Sequence, residues 1–486
     1  MRNYLLLVLT FIGATALSAQ FQLSNRLDLY SGINGAFLQP AGTVATPYNW
    51  DLNVAHINSG FSNDYGFLAN ASAIGLLRDA RQDLTADVDE LNQQWALGNR
   101  LYAYDFNNNG KPHFGGFAVD VLGPAFSVQI GEWTRVGAFV RARVAANARG
   151  IDANFSYYPY DEREDGTTFN LAETFGAAAA WTEYGVHLAQ AIPLNDDTEL
   201  RLGVNARYLL PLEGGYLFNP GNSTYGKVNV DSISVEGGTT EIAFSNVLRE
   251  TDDIGGASGS GFGIDFGAQI AWEPMREGGY RYVAGISVID AGLLNFDDGA
   301  EQHLFANPDR VFIGSDAFDG LEGQEDVDEF IGVLNEIYYG RRGVSLQSES
   351  FTIGLPTVIS AQFAFQPVSD LRLSAAYAGG VNVNDRQLKA GQQLALAAHF
   401  SRWWYGAGIT TALHDWQYFN LGAQLRLGPL TLGTDRFFGT LAKAKRLQAA
   451  DFYIGLKFHN FGLKKADRKG QFNRPRNSRR VKCYEW

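Results

Sequence analysis

A chain of 486 residues with a net charge of −13 and only 19% charged residues is long enough for two or three ordinary domains or for one large barrel. The acidic balance speaks against a nucleic-acid partner, and the single Cys483 rules out an internal disulfide. After Gln20 no 18 apolar residues run together, so the sequence carries no transmembrane helix.

The chain opens with Arg2, an uncharged apolar stretch over 4–16 and the small-residue triplet Leu17-Ser18-Ala19. That order is the layout of a secretory signal peptide, too short to span a bilayer as a helix. It predicts residues 1–19 as a signal cleaved after Ala19. Gln20 stands where a lipoprotein would carry Cys.

Most of 20–460 alternates with period two. In 134–146, Val136, Ala138, Val140, Ala142 and Val144 share one face, opposite Arg135, Gly137, Phe139, Arg141 and Arg143. In 199–210, Leu200, Leu202, Val204, Ala206 and Tyr208 oppose Arg201, Gly203, Asn205 and Arg207. In 262–272, Phe262, Ile264, Phe266, Ala268 and Ile270 oppose Gly263, Asp265, Gly267 and Gln269. In 450–458, Phe452, Ile454, Leu456 and Phe458 oppose Asp451, Tyr453, Gly455 and Lys457. One face is apolar and the other mixes Gly with charge, while aromatics such as Trp403, Trp404 and Tyr405 gather near segment ends.

Segments of ten residues or more with this sidedness fit a transmembrane antiparallel β-barrel better than a soluble sandwich. Similar segments fall near 50–58, 114–122, 124–131, 177–190, 280–290, 356–366, 370–379, 391–400, 402–413, 416–427 and 429–437. Weaker ones fall near 65–73, 100–106 and 224–236. The expectation is an all-β barrel of about 14 strands (roughly 12–16) with short helical insertions. Hairpins are predicted at Gly123-Pro124, Gly131-Glu132, 367–370 and Gly428-Pro429.

Two stretches break the alternation. Residues 76–98 have helical spacing with Gly98 as a stop. Residues 292–348 are acidic and irregular, with a helix predicted over 327–338 and seven acidic residues against no basic ones between Asp316 and Glu329. Both are expected to lie outside the barrel or to plug it. The tail, 461–486, is basic: from 463 onward it holds nine Lys or Arg against Asp467 and Glu485.

After the signal comes Asn34-Gly35-Ala36-Phe37-Leu38-Gln39-Pro40-Ala41-Gly42, followed by Trp50-Asp51-Leu52-Asn53-Val54. The run around Asn34, Pro40 and Ala41 resembles the opening of long-chain fatty-acid transporter-type barrels. It also resembles barrels of the type IX secretion and gliding apparatus, and a related family of unknown function. The stretch 117–126, from Phe117 through Gly123-Pro124 to Phe126, is similar to that last family. The resemblance implies an outer-membrane barrel of a Gram-negative bacterium. Gln39 stands in place of the Asn of Asn-Pro-Ala, and no ligand-binding residue of the transporters is carried over.

No motif carries catalysis, metal or cofactor. Asp105-Phe106-Asn107-Asn108-Asn109-Gly110 starts like a calcium loop, but position twelve is Gly116 instead of Glu, and a polar turn accounts for it. The seven histidines have no metal-ligand spacing. No Gly-x-Ser-x-Gly occurs.

The inward charges Arg141, Arg143, Arg201, Arg207, Asp265, Arg372, Arg426, Asp451 and Lys457 are the candidate lumen-lining set. Either they pair with one another to fill an occluded lumen, or they form a basic constriction for anions. The first reading is preferred, because any such barrel needs a polar lumen. Three functions follow. The first is a structural or accessory barrel, bound to outer-membrane lipid and engaging an envelope partner through its loops or basic tail. The second is a passive transporter of small hydrophobic or anionic molecules. The third is an outer-membrane enzyme, for which the sequence offers no residues. Arg at Val204 is expected to cost about 2–4 kcal/mol on the lipid face, and Arg at Asn205 to be mild.

Overall fold

The structure is a computed structural model that describes residues 21–81, 86–89, 94–97, 99–107, 109–152, 154, 164–245, 256–275, 278–306, 309–318 and 327–460. The signal segment, the basic tail with Cys483, and 319–326 of the acidic run lie outside the described residues.

Fourteen antiparallel strands close on themselves. They are β1 (Trp50–Asn63), β2 (His113–Ile130), β3 (Thr134–Ile151), β4 (Thr174–Pro193), β5 (Thr198–Asn219), β6 (Gly259–Pro274) and β7 (Tyr280–Phe296). They continue with β8 (Val358–Val368), β9 (Leu371–Gly380), β10 (Gln392–Ser401), β11 (Tyr405–His414), β12 (Tyr418–Leu427), β13 (Leu430–Thr434) and β14 (Ala449–His459). Each pairs with its sequence neighbour, and β14 returns to β1 through Asp51–His459 to Ser62–Ala449. Closure satisfies the backbone without an edge, the condition for crossing a bilayer with strands.

The period-two segments become these strands, with one merger. Residues 114–122 and 124–131, expected as two strands with a hairpin at Gly123-Pro124, form the single β2. Its register shifts between Leu122 and Ala125. Pro124 brings no N–H, so the chain bulges there. The Asn53 amide donates to the freed carbonyls of Leu122 (3.2 Å) and Gly123 (3.1 Å).

The connections divide by end. One end carries only short turns, at 131–133, 194–197, 275–279, 369–370, 402–404 and 428–429. The other carries the long connections. Strands β2 to β7 span 16–22 residues, beyond the about 9–11 that a bilayer needs, so they project at the loop end. There two further sheets form. One joins Thr168–Asn170, Thr224–Asn229, Ser232–Glu236 and Arg310–Gly314; the other joins Gly66–Ala71, Arg100–Phe106, Gln94–Leu97, Ala86–Asp89 and Ala444–Leu447. The weak segments 65–73, 100–106 and 224–236 therefore lie outside the ring.

The helix expected across 76–98 covers only Ala73–Ala80; Ala86–Asp89 and Gln94–Leu97 pair as a hairpin instead. Trp95 and Leu97 are buried on one face, a strand periodicity hidden inside a helix-compatible composition. The helix Val327–Tyr339 forms as expected and packs Ile331 on Phe244 and Phe305.

The barrel's outer face is apolar: Val186, Ile286, Leu396 and Ile409 are more than 60% exposed. Aromatics ring the short-turn end. Trp272 stacks on Tyr282 at 5.4 Å, Tyr282 on Phe365 at 5.3 Å, and Trp403 and Trp404 are exposed in their turn. Lipid on one side and headgroups at the rim favour that arrangement.

Candidate functional site: the filled lumen

The inner face needs polar partners or packing, and the chain supplies both from its own N-terminal segment. No residue from 21 to 48 is exposed. The segment enters the barrel as a four-residue helix, Leu23–Arg26, and two 3-10 turns, Gly32–Phe37 and Pro40–Ala45. It makes no strand ladder, so its backbone groups must find side chains on the wall. The Leu23 and Ser24 N–H groups donate to the Asp435 carboxylate at 2.7 and 3.1 Å, and Ile33 N–H donates to Asp51 at 2.9 Å. The Leu38 carbonyl accepts from Ser287 at 2.6 Å, the Ala36 carbonyl from Asn205 at 3.1 Å, and the Ser24 carbonyl pairs with the His399 ring at 2.6 Å.

Asn34 lies buried in the first 3-10 turn, and Pro40 and Ala41 open the second. Gly203 of β5 faces them: a Cβ there would run into the backbone of Pro40 and Ala41. A Cβ at Gly267 of β6 would meet Gln39 and Pro40, and one at Gly285 of β7 would lie 2.8 Å from the Gln39 amide nitrogen. These three inward glycines make the groove in which the motif rests. The plug is thus the N-terminal segment, whereas the described residues of 76–98 and of 297–348 belong to the loop end.

Around the plug runs a balanced charge network. Arg141 grips Asp120 in two bonds, 2.7 and 2.5 Å, and stacks over Phe37. Arg26 of the plug approaches the same carboxylate at 3.5 Å. Arg143 bridges Glu183 (3.2 Å) and Asp290 (3.0 Å). Arg207 reaches Glu183 (3.1 Å), Asp290 (2.6 Å) and Asp265 (2.5 Å). Four guanidinium groups thus meet four carboxylates in one connected, buried cluster. Such groups are tolerated away from water only when each charge is compensated.

The other expected lumen residues are anchors or stand apart. Arg426 donates to the carbonyls of Arg402, Trp403 and Tyr405 and lies 4.0 Å from Asp28. Lys457 donates to the plug carbonyls of Tyr30 and Ser31, the latter at 2.8 Å. Asp451 pairs with no arginine in the described network; it accepts from the Thr434 hydroxyl (2.5 Å) and the N–H groups of Asp435 (2.9 Å) and Arg436 (3.1 Å). Arg201 is held by Glu199 at 2.8 Å. Arg372 sits at the short-turn mouth beside Arg201.

Sequence reasoning passed over Arg26, Asp28, Asp120, Glu183, Asp290 and Asp435. Asp120 and Glu183 share the inward parity of their strands and were findable that way; Asp290 turns inward only where β7 shifts register at a positive φ, and Arg26, Asp28 and Asp435 lie outside the strands with no period to read. The expectation for Asn205 also changes. It is fully buried, bonded to His187, Ala36 and Asp265, so Arg has no space there and would not be mild.

The loop half of the lumen is filled differently. Phe175, Trp181, Leu209, Leu294, Phe296, Phe351, Ile353 and Leu355 form an apolar core inside the projecting strands. Between plug and wall, one cavity of about 40 Å³ lies beside Arg26 and Asp120, room for a few waters.

A closed antiparallel barrel with a lipid-compatible exterior and a polar, plugged interior is an outer-membrane barrel protein of the Gram-negative type. The chain belongs to the Family of unknown function (DUF5723), whose profile matches residues 40–435. No curated protein matches the sequence. Among solved structures it is similar to the translocator domain of the autotransporter NalP from Neisseria meningitidis, at 10% identity, covering 85% of this chain and 88% of that one, with a TM-score of 0.29. It is also similar to the P. putida toluene transporter TodX, at 10% identity, 89% and 95% coverage and a TM-score of 0.23. A Pseudomonas aeruginosa FadL homologue follows at 8% identity, 92% and 98% coverage and 0.23.

Proposed function

We propose that this protein is a structural or accessory barrel of the outer membrane, exported by a cleaved signal at 1–19, which presents its loop end and basic tail to an envelope partner. The observation that carries this reading is the filled lumen: a plug bound to the wall through its own backbone, and an apolar core above it. A conduit needs neither the loop-end sheets nor the helix Val327–Tyr339. Exposed apolar side chains at that end, Val230 and Phe312, are suited to a protein partner. The test joins conductance to contact. Purified protein in planar bilayers is expected to be silent, and photocrosslinkers placed at Phe312 in cells are expected to yield one discrete protein adduct. Stable channels without an adduct overturn the proposal.

One observation favours passage of hydrophobic molecules as a second reading. Strand β13 has five residues and pairs with β14 only from Leu430–Leu456 to Gly433–Tyr453. Beyond Thr434 the wall between β12 and β14 is closed by Phe437–Thr440, with Phe438 exposed. Cellular uptake of a hydrocarbon that a disulfide between Phe438→Cys and Phe419→Cys abolishes would favour this reading over the first.

A further inference from the structure

Among the described residues, the inward arginines of the wall are held by carboxylates or carbonyls, with one exception. Arg372, at the start of β9, has no hydrogen bond or ion pair among the described residues, and its Nε is buried without a partner. It faces a cavity of about 50 Å³ at the short-turn mouth, which it shares with Arg201, Tyr280, Gln366, Ser369 and the plug residue Tyr30. Arg201 is engaged by Glu199 through Nε at 2.8 Å, so a second guanidinium looks into the same space. Two like charges line one cavity, and one of them has no carboxylate within ion-pair distance among the described residues, unlike the charge network deeper in the lumen. Water would fill the volume, but it would not neutralise a half-buried guanidinium.

We propose that this cavity is a binding site for a compact oxyanion, a phosphate or carboxylate group, taken up from the short-turn side. The planar guanidinium fork matches two oxygens of such a group, and Arg201 adds a second positive charge. The chemistry is the same for a free anion and for a phospholipid headgroup at the rim, and the experiment separates the two.

The full chain, purified in detergent, is titrated with inorganic phosphate and followed by phosphorus NMR line broadening. It is also exchanged out of phosphatidylglycerol-containing detergent and assayed for retained lipid. Saturable phosphate binding that weakens by at least about tenfold in Arg372→Gln assigns the site to a free anion. Retained phosphatidylglycerol, lost in Arg372→Gln, with no phosphate broadening, assigns it to a headgroup. Arg372→Lys, which keeps the charge without the fork, is expected to fall between. Arg402→Gln, an exposed arginine in a turn at the same end, is expected to bind like the unaltered chain, and unchanged melting of Arg372→Gln guards against misfolding. Binding of neither probe, or equal binding by Arg372→Gln, overturns the proposal.

Discussion

Replacing Arg207 by Met keeps most of the side-chain volume and removes one charge from the centre of the network. Three carboxylates lose a partner, but they do not lose equally. Glu183 and Asp290 keep Arg143, at 3.2 and 3.0 Å. Asp265 keeps only the Asn205 amide (2.8 Å) and the Asp290 N–H (2.7 Å). The change therefore strands one buried carboxylate, not three, and the expected loss is about 3–5 kcal/mol. Adding Asp265→Asn restores equal numbers of positive and negative groups and is expected to recover about 2 kcal/mol, a coupling typical of directly bonded pairs. Urea unfolding in phosphocholine vesicles, followed by the emission of the nine tryptophans, gives both values if the variants share one slope. An Arg207→Met protein within about 1 kcal/mol of the unaltered chain, or a double variant no more stable than the single one, would refute the view that pairing within the lumen holds this barrel together.

Three further outcomes are expected. Val204→Arg, on the lipid face of β5, loses about 2–4 kcal/mol, while Asn205→Arg, pressed against the plug, loses about 3 kcal/mol or more; a tolerated Asn205→Arg in the same urea assay would contradict the packing of plug on wall. Gly203→Val thrusts a branched side chain into the backbone of Pro40 and Ala41, and protease accessibility of 21–48 is expected to rise without loss of the barrel; continued protection would show that the groove is not specific. Lys389, in the connection between β9 and β10, has its amine pushed down to about 8 by burial and by the nearby Arg149. Its acylation rate, measured by mass spectrometry, is expected to rise through pH 8, whereas an ordinary lysine titrates near 10.4; a midpoint near 10 would count against that burial.

How much of this was legible depended on whether a residue belonged to a periodic segment. Alternation over 134–146 and 199–210 located the strands Thr134–Ile151 and Thr198–Asn219, though not their full length, because lipid and lumen impose opposite chemistry on adjacent residues. It failed at Gly123-Pro124, where turn residues sit in a bulge: the local signal is the same, and only the pairing of Asn53 with both freed carbonyls distinguishes them. It failed again at 86–97, where a short hairpin leaves too few residues to separate a period of 2 from one of 3.6. The plug was illegible for a deeper reason. Residues 21–48 form almost no regular structure, and their stability resides in contacts with Asp435, Ser287, Asn205 and Lys457, hundreds of residues away in several cases.

The inward glycines nonetheless held the missing information. On a polar lumen face, a position facing water has no need to be glycine, and glycine in a strand interior weakens it. Gly203 and Gly267 stand directly opposite each other across β5 and β6, and Gly285 lies on β7 opposite Gln269. Three such positions on adjacent strands are costly for the sheet unless another backbone must come close, and here it is the Gln39-Pro40-Ala41 segment that does so. The same register that makes the wall therefore also locates the plug, and it ties the N-terminal motif to a packing role: the motif's small residues and the wall's missing side chains are two halves of one contact.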